Sequence, residues 1–184
     1  MKTEVFWIDG LAKGRLGIAP RPRGGDWLED EVKAWRTAGV DSVVSLLTPS
    51  EQTELNLTNE DDACRKQDVT FRYLAIPDRG VPQSRPALKR LLSALLSDLN
   101  SGKTVVVHCR QGIGRSSLIA ASVLTSLGDD PDRAFRRIEQ ARGRSVPDTD
   151  EQRNWVRNFA EREHEGTRPT RRTLRRTVVP KAHA

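Results

Sequence analysis

The residues with the most chemistry in them form the string HCRQGIGRS, from His108 to Ser116. Cys109 is followed six positions later by Arg115, with Gly112 and Gly114 between them. The β-branched run TVVVHC leads into this string, and the apolar run LIAASVLTSLG leads out of it. The glycines permit a tight turn whose successive N–H groups point inward as an anion-binding nest. The amides of Arg110, Gln111, Gly112, Ile113, Gly114 and Arg115 are therefore the expected phosphate ligands. The start of the following helix adds its positive dipole end. Arg115 adds a planar, permanently charged fork that matches phosphate oxygens.

The same surroundings act on the thiol of Cys109. A cysteine beside a helix N-terminus and an arginine favours its thiolate form. A thiolate beneath a bound phosphate is a nucleophile aimed at phosphorus. Attack gives a phosphocysteine, which water then hydrolyses. Loop amides and Arg115 would stabilise the charge spreading over the equatorial oxygens. The plainer reading makes Cys109 a small buried hydrophobe in an ordinary glycine-rich turn. The joint spacing of Cys, two Gly and Arg weighs against it.

These residues need a frame. Residues 26–38 are expected to form a helix with Trp27, Leu28, Val32 and Trp35 on one face, stopped by Gly39. Residues 42–47, SVVSLL, suit a buried strand. Thr48, Pro49 and Glu51 spell a capping box, opening an interrupted helix over 49–67. Residues 69–76 read as a strand ended by Pro77, and the leucines of 86–99 as a helix. Further helices are expected from Gly114 to Gly128, over 131–141 behind Asp129, Asp130 and Pro131, and from Thr149 to about Glu163. Residues 11–25, rich in Gly, Pro and Arg, read as loop. Strands alternating with helices imply an α/β fold with a central, mostly parallel sheet flanked by helices. Ligands of such sheets sit outside the carboxyl ends of the strands, where TVVVHC delivers Cys109.

A length of 184 residues fits a catalytic domain over 1–163 and a basic tail over 164–184. The composition, 36% apolar and 30% charged, is that of a globular domain. The formal charge of +6 resides in six basic residues after Gly166, a stretch without a carboxylate; without them, 25 basic residues face 25 acidic ones. The tail lacks apolar periodicity and is expected to be disordered, either merely solubilising or contacting an acidic partner, nucleic acid or anionic membrane. Two cysteines, Cys64 and Cys109, are too few for a disulfide framework and lack zinc spacing. No metal or other cofactor is expected. MKTEVFWIDG has no apolar signal core, and no run of about 18 apolar residues occurs. A reducing cytoplasm, which keeps a thiol available, is the expected compartment.

HCRQGIGRS resembles the signature loop of the cysteine-based protein tyrosine and dual-specificity phosphatases: His-Cys, five residues, then Arg-Ser. GRLGIAPRP and PDRG are similar to segments of the small, kinase-associated type of dual-specificity enzyme, so the resemblance spans roughly residues 6–160. It implies a single-domain, dual-specificity phosphatase-like fold. It also implies hydrolysis of protein phosphotyrosine, with or without phosphoserine and phosphothreonine. In the family an Asp upstream of the cysteine protonates the leaving group; Asp78, 31 residues before Cys109, matches it. Pro77-Asp78-Arg79-Gly80 is also an ordinary turn sequence. Ser116 matches the hydroxyl that assists the leaving thiolate, though a serine there can simply cap the helix; Ser117 is the substitute. His108 matches the residue that orients the loop. Gln152 matches a glutamine that positions the hydrolytic water, but Thr149 and Gln152 also spell a capping box. Cys64 is either a buried structural residue or a resolving thiol for oxidised Cys109.

Other activities use similar parts. Phosphoinositide or small phosphate-ester phosphatases of this kind carry loop lysines, and this loop has none. A non-catalytic phosphate-binding module would not need the reactive residues. A rhodanese-like sulfur transferase leaves Asp78 and the Gly-Arg-Ser run unexplained. No segment resembles the tyrosine-recognition loop of classical tyrosine phosphatases, which favours the dual-specificity type.

Overall fold

Five strands build one sheet: β1 (Phe6–Ile8), β2 (Arg15–Ala19), β3 (Ser42–Ser45), β4 (Thr70–Tyr73) and β5 (Thr104–His108), in the spatial order β1-β2-β5-β3-β4. They belong to a computed structural model that describes residues 4–167. β1 is antiparallel to β2, and the other pairings are parallel. β5 lies between β2 and β3, and every one of its residues is buried, as a β-branched run covered on both faces requires. The helices are α1 (Leu28–Thr37), α2 (Pro49–Glu54), α3 (Glu60–Lys66), α4 (Arg85–Asn100), α5 (Arg115–Ser126), α6 (Pro131–Arg142) and α7 (Asp150–Thr167).

The sheet separates two cores. On one face, Val43 and Val106 pack with Leu28, Val32 and Trp35 of α1 and Ala63 and Cys64 of α3. On the other, Val105 and Val107 pack with leucines of α4 and with α5, α6 and α7. Alternation along β5 carries on past its end. Cys109 falls on the Val105–Val107 face, and His108 turns toward Trp35, with ring centroids 6.0 Å apart. α5 is buried from Arg115 to Thr125, which suits a helix apolar on nearly all sides.

The sequence signals for caps hold. Thr48 accepts from the Glu51 N–H while Glu51 accepts from the Thr48 N–H, the full capping box. Asp130 accepts from the N–H groups of Asp132 and Arg133 ahead of Pro131, and Gly143 ends α6 at φ 69°. The expected 49–67 helix is indeed interrupted, between α2 and α3.

Three expectations are corrected. Residues 11–25 are not all loop: Arg15–Ala19 form β2, with Leu16, Ile18 and Ala19 at 0% exposure. Burying Leu16 and Ile18 is worth about 1.5–3 kcal/mol each, so β2 is a full member of the core. Its glycine has a partner: Gly17 lies opposite Trp7 of β1, a strand too short to show in the sequence pattern, and a Cβ there would stand 2.9 Å from the indole ring. Second, Trp27 is not on the buried face of α1. It ends a short 3-10 turn, Gly25–Trp27, and remains 55% exposed with the Arg23 guanidinium 4.5 Å from its ring. Third, β3 and β4 are shorter than 42–47 and 69–76. The basic tail expected over 164–184 lies, beyond residue 167, outside the described residues.

Candidate active site

Between the end of β5 and the start of α5, residues Cys109–Gly114 form the loop that the sequence singles out. Its shape depends on β2. Gly112 has φ +65°, and a Cβ on it would lie 2.6 Å from backbone atoms of Ala19 and Pro20. Only glycine lets the loop settle on that strand end. The Arg21 N–H donates to the Arg110 carbonyl (3.4 Å) from the same segment. On the outer side, Arg142 of α6 donates to the carbonyls of Gly112 (3.0 Å) and Gln111 (3.4 Å), and its guanidinium lies 4.0 Å from the Phe6 ring centre. In a trans peptide the N–H points opposite the C=O. Holding these carbonyls outward turns the N–H groups of Gly112 and Ile113 the other way. The sequence carries no local signal for this role of Arg142.

Cys109 Sγ lies 3.5 Å from Ser116 Oγ, within reach of a hydrogen bond that the hydroxyl donates when the sulfur is a thiolate. Both residues are buried, whereas the buried Ser117 hydroxyl has no such partner. Arg115, 2% exposed, is gripped by Glu51: Nη1 is 2.7 Å from Oε2 and Nη2 is 2.9 Å from Oε1. Nη1 also donates to the Ile76 carbonyl (3.0 Å), and Nη2 to Asp78 Oδ1 (3.1 Å). Burial opposes the charge on Arg115, but Glu51, Cys109 and Asp78 outweigh it and raise its hold on the proton. For Glu51, burial pushes the carboxyl up, yet Arg115 and the Thr48 N–H hold it below the ordinary carboxylate value.

In the sequence Glu51 reads only as half of a capping box. One carboxylate does both jobs, and its second partner is 64 residues away. Removing its charge leaves the buried guanidinium with the exposed Asp78 as its one carboxylate partner among the described residues. Glu51→Gln is expected to lower stability by about 3 kcal/mol in neutral buffer, measured by urea unfolding. The depressed group stabilises above the ordinary carboxylate range, and that contribution is lost as pH falls through its folded value. Wild type should therefore lose more stability on acidification than Glu51→Gln; parallel curves would show that the pair is not coupled to folding.

Asp78 sits on an exposed turn closed by the Gly80 N–H on the Pro77 carbonyl (2.9 Å), with its side chain 65% exposed and resting on Arg115. Gln152 is fully buried and bridges this turn to α7. Its Nε2 donates to the Gly80 carbonyl at 2.9 Å, and its Oε1 faces Gly114. Thr149 Oγ1 accepts from the Gln152 N–H (3.2 Å), but the glutamine side chain does not return the bond, so half of the expected capping box is made. Asp148, which has no motif of its own in the sequence, crowds Gly114 from the same side.

His108 Nε2 lies 2.8 Å from the Glu60 carboxylate, both buried, though outside hydrogen-bond geometry. Arg110 turns its guanidinium to Glu54 (2.6 and 3.1 Å), leaving only its amide to the loop. Ile113 is buried and Gln111 exposed. Cys64 belongs to the α1–α3 core, on the far side of the sheet from Cys109. Burial, with Glu60 and Asp61 nearby, pushes its thiol up to about 12, which suits the structural role and not a disulfide with Cys109. Among the described residues, no group of three or more His, Cys, Asp or Glu is placed to hold a metal ion.

Comparison with known proteins adds the lineage. The cyclin-dependent kinase inhibitor 3 of Rattus norvegicus is 24% identical over 137 residues, and that of Homo sapiens 23%; each match covers 73% of this chain but 64% of the relative. Among solved structures, kinase associated phosphatase with its catalytic-site cysteine replaced by serine superposes with a TM-score of 0.78 at 18% identity, covering 88% of this chain and 96% of that one. Tk-PTP in its active form gives 0.69 at 27%, covering 86% and 97%. PTPMT1 in complex with PI(5)P gives 0.68 at 19%, covering 82% and 93%. Residues 18–129, more than half of the chain, match the family model described as "Polymorphic toxin system, DSP-PTPase phosphatase", and the chain belongs to that phosphatase family.

Proposed function

We propose that this chain is a cysteine-dependent protein phosphatase that hydrolyses phosphotyrosine, and phosphoserine or phosphothreonine as well, through a phosphocysteine intermediate. The observation that carries the proposal is the meeting of Cys109, Ser116, Arg115 and Asp78 around one loop. The phosphate dianion lies in the amide cup of residues 110–115, with Arg115 held in position by Glu51. Cys109 attacks phosphorus, and Asp78 gives its proton to the departing ester oxygen. In the second step Asp78 takes a proton from the attacking water, and the Ser116 O–H stabilises the sulfur as it leaves. Gln152 sits between the Asp78 turn and the loop, where its free Oε1 is suited to orient that water. His108 precedes the loop and packs on Trp35 at the opposite face of the sheet, a place suited to orienting the loop.

Phosphorylated protein is the favoured substrate, in a reducing cytoplasm that keeps the thiol available. No helix among the described residues is long and apolar enough to cross a membrane. PTPMT1 keeps phosphoinositide in view as the second reading. Against it, the loop lacks lysine and its Arg110 side chain is committed to Glu54. The test compares kcat/KM for phosphotyrosine peptide, phosphothreonine peptide and an inositol phosphate at one pH. The peptides should lead; an inositol phosphate turned over faster than either peptide would overturn the protein-substrate assignment.

A further inference from the structure

A groove of about 340 Å³ runs between α4 and α7, outside the catalytic loop. Its position follows from the topology. α4 starts at Arg85, just after the Asp78 turn, and α7 starts two residues before Gln152, which reaches Gly80. Both helices therefore leave the active-site end and run down the flank of the sheet. At about 1.5 Å per residue, Trp155 lies roughly 5 Å and Arg162 roughly 15 Å along α7 from Gln152.

The lining has two chemical characters. Leu88 forms an apolar floor, flanked by Trp155 and Phe159, whose rings stack 5.8 Å apart at an interplanar angle of 3°. Arg85, Lys89 and Arg162 line the same groove, and among the described residues no carboxylate lines it. The formal charge of residues 1–165 is close to zero, so this cluster is a local asymmetry and not a symptom of a basic domain. A concave apolar strip edged by cations complements a segment that carries Asp or Glu beside a bulky apolar side chain.

We propose that the α4–α7 groove docks the substrate polypeptide flanking its phosphoresidue, and that it selects flanks with acidic and bulky apolar residues. The proposal rests on the phosphatase reading and specifies its substrate class. With the phosphoresidue in the Cys109 loop, an extended chain covers the distance to Arg162 in about six residues at roughly 3.3 Å each. The anchor therefore lies within one short linear segment of the phosphoresidue.

The test uses the whole protein and synthetic phosphotyrosine peptides. Each carries a Glu-Leu-Glu-Phe anchor about six residues to one side or the other of the phosphotyrosine, or the same anchor with Gln for Glu. For the acidic peptide of one polarity, KM should fall about tenfold against its neutral twin, as exposed ion pairs to Arg85 and Arg162 supply. Salt should erode the advantage. The double variant Arg85→Glu/Arg162→Glu should abolish it while leaving p-nitrophenyl phosphate turnover unchanged. Both positions are exposed, so the variant should fold, as circular dichroism checks. Equal KM values for acidic and neutral peptides, or an advantage that survives the charge reversal, would overturn the docking site. So would a change of oligomeric state in the variant, which would identify a second copy as the occupant, or displacement of peptide by single-stranded DNA. Absent p-nitrophenyl phosphate turnover in wild type would instead sink the phosphatase reading; fluorescence polarisation of the labelled acidic peptide then tests the groove by itself.

Discussion

Cys109→Ser should reduce turnover of an aryl phosphate by about 10⁴-fold or more while leaving inorganic phosphate or vanadate able to bind. The two halves of this expectation have separate origins. Binding draws on loop amides, the start of α5 and Arg115, none of which the substitution touches. Reaction draws on a nucleophile, and a serine hydroxyl in the same place keeps its proton and is far weaker. Losses of this size are typical when a covalent nucleophile is removed from an otherwise intact site. Ser116 would face an oxygen in place of sulfur, so the buried pair stays polar and the fold should persist. Rapid mixing adds a second readout: wild type should trap a phosphorylated protein in acid quench, and the variant should not. Retained turnover, or a trapped phosphoprotein in the variant, would move the nucleophile elsewhere.

Apart from Asp78, which the family resemblance supplies, the part of the site that is legible in the sequence is the part built from neighbours in the chain. The run into Cys109, the two glycines and the apolar helix beyond Arg115 all sit within one strand-loop-helix unit, and each has a local signal. The supporting contacts cross the fold. Arg115 meets Glu51 over 64 residues, and Arg142 meets Gly112 over 30. Arg142 has no pattern of its own, and the capping box explains Glu51 locally, which hides its second role. β2 shows the same principle at the level of the fold. Gly14, Gly17 and Pro20 look like loop residues until Trp7 is placed opposite Gly17 and supplies the bulk that the strand lacks. Gln152 lies between these cases. Its backbone makes the predicted cap, while its side chain leaves the cap for the Asp78 turn, a choice fixed by tertiary packing alone.

Asp78→Asn should separate proton donation from everything else that this residue does. The amide oxygen can still accept from Arg115 Nη2, so thermal stability and phosphate affinity should stay near wild type. What is lost is the ionisable proton. Esters whose oxygen leaves poorly, such as phosphotyrosine and phosphothreonine, need that proton in the transition state. Their kcat should fall by about 10²–10⁴-fold. An activated ester such as p-nitrophenyl phosphate departs as a stabilised anion and should slow much less. The ratio of the two losses is the measurement, because a variant that only misplaced Arg115 would slow both ester classes alike. The 65% exposure of the Asp78 side chain suits a group that must meet substrate and exchange its proton with water. Equal losses on both ester classes would take proton donation away from Asp78 and leave Asp148, whose carboxylate crowds Gly114 from the α7 side, as the next acid to substitute.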